Sequence, residues 1–216
     1  MKIKYLGHSS FFLRFKKARL VIDPFDSKMV GLPFPRQEAD IVLITHHHKD
    51  HDQAQLVKGN PVVIDLPGEY EIKQVKIRGF LTYHDDKKGA LRGENTIYKI
   101  ESEGISFLHL GDLGHLLSEE MIEKIGEIDV IFIPVGGIYT IGPEQALKLI
   151  NEIEPKIIIP MHYNHEKLNQ EIFGKLASVD EFVKNFPSEK VKKVDILSLS
   201  DSEVKEKESE VIVFEI

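Results

Sequence analysis

An apolar run, Asp40–Thr45 (DIVLIT), delivers the chain directly into His46-His47-His48-Lys49-Asp50-His51, and this junction constrains the fold more than any other stretch. A continuous apolar segment of that length reads as a strand covered on both faces. In extended backbone, residues two apart point the same way. His46 and His48 therefore present imidazoles to one side, and Asp50 continues the spacing. A helix beginning near Asp50 would turn the chain there and direct Asp50 and His51 to a second position beside the first. Four potential ligands are thus easily shared between two ions.

Composition narrows what such ligands can hold. The 216 residues contain no cysteine, which excludes disulfides and thiolate ligands and leaves nitrogen and oxygen donors. The formal charge is −7, so no general electrostatic attraction to nucleic acid or anionic membrane is expected. No apolar run approaches the roughly 18 residues of a membrane span. The first residues, Met1–Tyr5, read as a strand rather than a signal peptide, so a soluble, cytoplasmic protein is expected, with residues 1–216 forming one domain.

Strands are predicted at Lys2–Leu6, Ser10–Phe15, Arg19–Asp23, Pro61–Ile64, Val75–Tyr83, Asn95–Glu101, Ile105–Leu110, Asp129–Ile133, Lys156–Ile159, Asp195–Leu199 and Val211–Phe214. Pro24–Glu38 reads as a loop, and the charged stretch Asp201–Glu210 as a solvated turn. Helices fit Ser118–Ile125 and Pro143–Ile153. DIVLITHHHKDH and KIIIPMHYNHE both run an apolar strand into a histidine-bearing loop, a weak internal echo of two facing halves.

Two ions require more ligands than one loop supplies. His84 follows the run Lys76–Tyr83, Asp112 follows Phe107–Gly111, and His162 follows Ile157–Met161. Each is a coordinating residue just past a buried strand, so one rim of a sandwich can gather them with His46, His48, Asp50 and His51. His109, inside a strand, is a buried support or a satisfied core histidine. Gly136–Gly137 permits close backbone approach in PVGGIYTIG, and Tyr139 and Tyr163 are candidates to line a substrate pocket. His115 and His165, in polar loops, are weaker candidates for substrate contact.

The order HxHxDH, His, Gly-Asp, His resembles the metallo-β-lactamase superfamily along nearly the whole chain. GHSSF, VIDPF, HLGDLGH, PVGGIYTIG and PMHY are similar to the small hydrolases related to its ascorbate-phosphate lactonase branch. The resemblance implies a four-layer αββα sandwich of two mixed β-sheets flanked by helices. It implies that His46, His48 and His84 bind one metal, Asp50, His51 and His162 the other, and that Asp112 bridges them. It further implies that Asp23, in VIDP, supports the ligand loop by hydrogen bonding and that His8, in GHSSF, contacts substrate. The antibiotic-hydrolysing members differ in that some use a cysteine at the second site, where this chain has Asp112. With 216 residues, the extra domains of the nucleic-acid-processing and flavin-bearing branches are not expected.

The expected cofactors are two divalent ions, zinc first, with manganese or iron as alternatives. Their charge exceeds that of Asp50, Asp112 and a bridging hydroxide, so the pocket is locally cationic and favours a small anionic ester, lactone or phosphodiester. Asp50 is the candidate catalytic residue, orienting hydroxide and moving a proton to the leaving group. Two other classes fit the same ligands: an iron or manganese protein handling oxygen or electrons, and a metal-holding interaction protein without turnover.

Overall fold

The strands that lead to the histidines are apolar on both faces because the sheets they enter are covered on both sides. The computed structural model describes residues 1–216. It opens with an antiparallel meander of β1 (Lys2–Gly7), β2 (Ser10–Arg14) and β3 (Arg19–Ile22). After a short helix, α1 (Ser27–Val30), β4 (Ile41–Leu43) and β5 (Val62–Ile64) add in parallel. A second meander follows: β6 (Gly68–Ile72), β7 (Val75–Tyr83), β8 (Glu94–Ser102) and β9 (Ile105–His109). Next come α2 (Glu119–Ile125), β10 (Val130–Pro134), α3 (Pro143–Ile153) and β11 (Ile157–Met161), the strands again parallel. The chain closes with α4 (Gln170–Phe173), α5 (Val179–Val183), β12 (Val191–Val194), β13 (Leu197–Ser198), α6 (Asp201–Lys205) and β14 (Glu210–Phe214).

These strands form two mixed sheets, one in the order β13-β1-β2-β3-β4-β5 and one in the order β12-β14-β11-β10-β9-β8-β7-β6. The period of two divides each central strand between two cores. Leu20, Ile22, Ile41 and Leu43 of the first sheet meet Tyr98, Ile100, Phe132, Ile157 and Ile159 of the second in one buried cluster between the sheets. The alternate residues Ile131, Ile133, Ile158, Val211 and Val213 pack outward with Ala146 and Leu149 of α3 and Phe182 of α5. On the far side, Val21, Val42 and Ile44 lie against Ala39, Val57 and the partly buried Phe34. This is the expected αββα arrangement. No helix is long and apolar enough to cross a membrane.

Several local expectations change. No α-helix starts at Asp50; one turn forms instead, with the His51 and Asp52 N–H groups donating to His48 O (2.8 and 3.0 Å), followed by a 3₁₀ turn at Ala54–Leu56. The stretch after Ser200 is helical because Ser200 and Glu203 cap each other reciprocally and Lys205 pairs with Asp201 at 2.8 Å. The predicted strand Asp195–Leu199 shrinks to the two residues of β13. Strands β6 and β12 carry little apolar pattern because they are the edges of the second sheet, solvated along one side.

Asp40 ties the sheets together. It accepts from the Arg19 backbone N–H (2.8 Å) in the first sheet and from Lys73 Nζ (2.7 Å) in the β6–β7 turn of the second. Burial alone would raise the carboxyl, but the hydrogen bonds from Lys73 and Arg19 outweigh it and hold its pKa at about 2. A carboxyl depressed in the folded state contributes stability that is present above its ordinary value and lost as pH falls through the depressed one. Asp40→Asn is therefore expected to lower unfolding free energy by about 1 kcal/mol at neutral pH, with the deficit vanishing toward pH 2 in denaturant titrations. A deficit independent of pH would contradict the ion-pair account.

Candidate metal centre

Strands from both sheets end at one rim, and the coordinating side chains stand just beyond those ends. His8 follows β1, the run from His46 to His51 follows β4, His84 follows β7, Asp112 follows β9 and His162 follows β11. His46, Asp50, His51, His84, Asp112 and His162 are buried, whereas His48 sits at the open side. Asp112 lies at the centre. Its Oδ2 is 3.1 Å from His162 Nε2, 3.2 Å from His84 Nε2 and 4.0 Å from His46 Nε2, and its Oδ1 is 3.4 Å from His51 Nε2. Potential ligand atoms fall into overlapping groups: His46, His48 and His84; Asp50, His51 and His162 with His8; and His46, His51 and Asp112, each within 4.8 Å. The seven residues singled out as metal ligands are thus brought together.

The backbone bends sharply to achieve this. His8, Asp23 and His162 have φ of 58°, 48° and 51°, a left-handed conformation that costs a non-glycine residue on the order of 1 kcal/mol and recurs at functional sites. Gly111, with φ 52°, is required before Asp112, since a Cβ there would lie 2.4 Å from Asn95 Oδ1. The turn is then held at both ends. Asp112 N–H donates to Asn95 Oδ1 (3.0 Å) and Gly111 N–H to His109 Nδ1 (3.1 Å). His109 Nε2 in turn meets Ser9 O at 3.0 Å, so His109 links the two ligand loops from beneath.

Proton positions follow from the network around Asp23. Its Oδ1 accepts from Thr45 N–H (2.8 Å), and its Oδ2 accepts from Thr45 Oγ1 (2.7 Å) and from His51 Nδ1 (2.9 Å). A carboxylate only accepts, so Nδ1 of His51 carries hydrogen. The single Thr45 hydroxyl hydrogen is committed to Asp23, so Thr45 Oγ1 accepts from Nδ1–H of His46, 3.0 Å away. The Nε2 atoms of His46 and His51 face inward with no hydrogen-bond partner, as do Oδ1 of Asp50 and Oδ1 of Asp112. Unpartnered buried polar atoms are costly, and here they converge. This donor set fits divalent cations held by nitrogen and oxygen, with Asp23 and Thr45 orienting two of the imidazoles.

The electrostatics are those of a tightly packed charge cluster. Burial would push Asp112 up, but His162 and His51 hold it well below the carboxylate range, and His51 and His8 do the same for Asp50. Burial opposes charge on His51, yet Asp112, Asp50 and Asp23 raise it well above its ordinary value. Burial and the neighbouring His162 lower His8 to about 4. Asp50 and Asp112 therefore concentrate negative charge where cations would sit, with Asp23 behind His51, and a cation there competes with the proton on His51.

A cavity of about 490 Å³ opens over the centre. Its floor is His48, Asp50, His84, Asp112 and His162, its apolar wall Met29, Ile172 and Phe173, and its mouth carries His47, Lys49, Arg92 and Tyr139. Tyr139 thus stands where a substrate contact was expected. His8 does not, because its fully buried ring packs 4.4 Å from the His162 ring and its Nε2 lies 3.2 Å from Asp50 Oδ2, behind the cavity surface. Tyr163 also falls elsewhere. Its side chain is buried in the helix-facing core and does not line the cavity. His115 and His165 lie away from the cavity, bonded to local backbone at Tyr83 and Lys167.

Asn95, which fixes Asp112, and Arg92, which lines the cavity, carry no local signal in the sequence. Asp85 is a further buried carboxylate, beside His84. The Asp-Asp-Lys-Lys-Gly segment after His84 carried a signal for Asp85, since aspartate before a glycine turn binds loop N–H groups.

The fold and centre define a class of protein: an αββα sandwich whose strand-end histidines and aspartates form a pocket floor suited to metal ions. The chain belongs to the beta-lactamase superfamily, whose domain matches residues 2–162. A structure from Thermotoga maritima, assigned to the Zn-dependent hydrolases of the metallo-β-lactamase superfamily, superimposes with a TM-score of 0.83 at 42% identity, covering 99% of this chain and 97% of that one. A metal-dependent hydrolase of Thermus thermophilus is 41% identical over 68 residues, a segment that spans 30% of this chain and 30% of that relative. A metallo hydrolase from Ignicoccus hospitalis shares the fold at 23% identity, with a TM-score of 0.62 over 85% of this chain and 89% of that one.

Chelator-stripped protein titrated with Zn²⁺ is expected to gain thermal stability, and Asp23→Asn to weaken the ion's affinity by about 10–100-fold by releasing His51 and Thr45. Calorimetric titration of both proteins measures this. Equal affinities would contradict the orienting role of Asp23.

Proposed function

We propose that this chain is a metal-dependent hydrolase acting on a small anionic ester, lactone or phosphodiester. The observation that supports it most is the Asp112 carboxylate, within 3.4 Å of His84, His162 and His51, at the floor of an open cavity. One carboxylate in reach of both ligand groups suits a pair of ions, with His46, His48 and His84 on one side and Asp50, His51 and His162 on the other. The histidine-rich set without sulfur suits zinc.

When bound, such ions acidify water to hydroxide near neutral pH and polarise the carbonyl or phosphoryl oxygen of the substrate. The chain's own residues supply the rest. Asp50, buried with one carboxylate oxygen against His8 and the other unpartnered, is placed to orient the attacking water and to pass its proton to the leaving group. Asp112 balances cationic charge without filling the cavity. Burial of the floor lowers the local dielectric and strengthens each of these interactions. Anionic substrates are favoured because divalent charge joins Lys49 and Arg92 at the pocket of an otherwise acidic chain.

The test is a metal-controlled screen of lactones, thioesters, phosphodiesters and phosphorylated sugars, repeated with Asp112→Asn. Turnover that is lost on chelation, restored by Zn²⁺ and reduced by about 100-fold or more in Asp112→Asn supports the reading. An Asp112→Asn enzyme with full activity and full metal content would reject it. A second expectation concerns charge. The anionic member of a matched substrate pair should have the higher kcat/KM at low salt and lose that advantage as salt rises, whereas equal salt-independent values would reject electrostatic selection.

A further inference from the structure

The loop between β7 and β8 brings the Arg92 side chain to the lining of the cavity. Asp85, buried immediately after His84, accepts four backbone N–H groups of this loop, from Lys87 (2.7 Å), Gly89 (3.0 Å), Leu91 (2.9 Å) and Arg92 (2.8 Å). Gly114 permits the close approach, since a Cβ there would lie 2.3 Å from the Asp85 nitrogen. A loop tied at four points to one buried carboxylate is preorganised, and Arg92 leaves it at the last of these ties.

The Arg92 guanidinium lies over the Tyr139 ring, with Cζ 5.7 Å from the centroid, and both side chains line the same cavity as Asp112 and His162. Stacking on an aromatic face restrains a guanidinium while leaving its N–H fork available. The ion pairs made by arginines in this chain belong to Arg19 and Arg78, so Arg92 has no carboxylate partner of its own. Met29, Ile172 and Phe173 give the same cavity an apolar wall.

We propose that Arg92 is the specificity-determining residue of this site. It receives an oxyanion, either carboxylate or phosphate ester, at one end of an amphiphilic substrate whose hydrolysable group sits at Asp112 and whose apolar segment lies on Met29, Ile172 and Phe173. This rests on the hydrolase reading above and adds the class of substrate. The planar fork suits an oxyanion because two N–H groups can reach two oxygens at once. Asp85 acts through Arg92 as a positioning residue.

The experiment uses Zn²⁺-loaded full-length protein and three hydroxamates with the same short apolar spacer, ending in a carboxylate, a phosphonate or a carboxamide. Dissociation constants are measured calorimetrically for wild type, Arg92→Gln and Arg92→Lys, beside turnover of esters bearing the same three arms. At least one oxyanion compound is expected to bind wild type about tenfold or more tightly than the carboxamide, as a charge-assisted hydrogen bond predicts. The preferred one identifies the oxyanion. That ratio should fall toward one in Arg92→Gln and be partly retained in Arg92→Lys. Equal affinities in wild type, binding of none of the three, or a ratio that persists in Arg92→Gln would overturn the assignment. An Arg92-dependent ratio without turnover of any ester would leave Arg92 standing and reject the hydrolase reading. Turnover with a ratio insensitive to Arg92 would do the reverse.

Discussion

The carboxylate of Asp23, fully buried at the end of β3, accepts the Thr45 N–H, the Thr45 hydroxyl and the His51 ring N–H. Through Thr45 it also sets the ring of His46. One anion thus joins neighbouring parallel strands, fixes the loop after β4 and directs the Nε2 atoms of two imidazoles inward. A buried carboxylate is tolerated only when its lone pairs are taken up, and here the donors that take them up are the residues that hold the candidate ligands. The left-handed backbone at Asp23 is part of the same arrangement, a strained turn supported by three hydrogen bonds.

The rim is built by strands of different connection. The first sheet contributes the loops after β1 and β4, and the second contributes those after β7, β9 and β11. The shared core between the sheets fixes their separation, so the rim geometry depends on packing far from it, at residues such as Phe11, Phe132 and Ile159. Support from below is equally long-range. His109 on β9 reaches Ser9 across the sandwich, and Asn95 on β8 holds both Leu110 O and the Asp112 N–H. Change in this layer is expected to move the centre without touching it.

Much of this was legible in residue order. HxHxDH after a doubly apolar strand, followed by His84, Asp112 and His162 each past another strand, specified a common rim because strand ends in a sandwich gather there. The αββα layering was implied by the family resemblance. What escaped depends on contacts between residues distant in the chain. Nothing local distinguishes Asn95 from an ordinary strand polar residue until Asp112 is folded against it, and Arg92 reads as a surface charge until Asp85 closes its loop. Tyr163 is a candidate pocket residue in the sequence, but the core between the second sheet and its helices takes up its ring. The charged segment after Ser200 read as a turn because net polarity masked a capping box.

We propose that His46, His48 and His84 would hold one ion and Asp50, His51 and His162 another, with Asp112 within reach of both groups. Anomalous diffraction from crystals soaked in Zn²⁺, collected on both sides of the zinc absorption edge, locates such ions directly. Two peaks flanking the Asp112 carboxylate, each beside its own histidine group, are the expected result. A single peak, or peaks away from Asp112 with its carboxylate unengaged, would rule out a paired centre there.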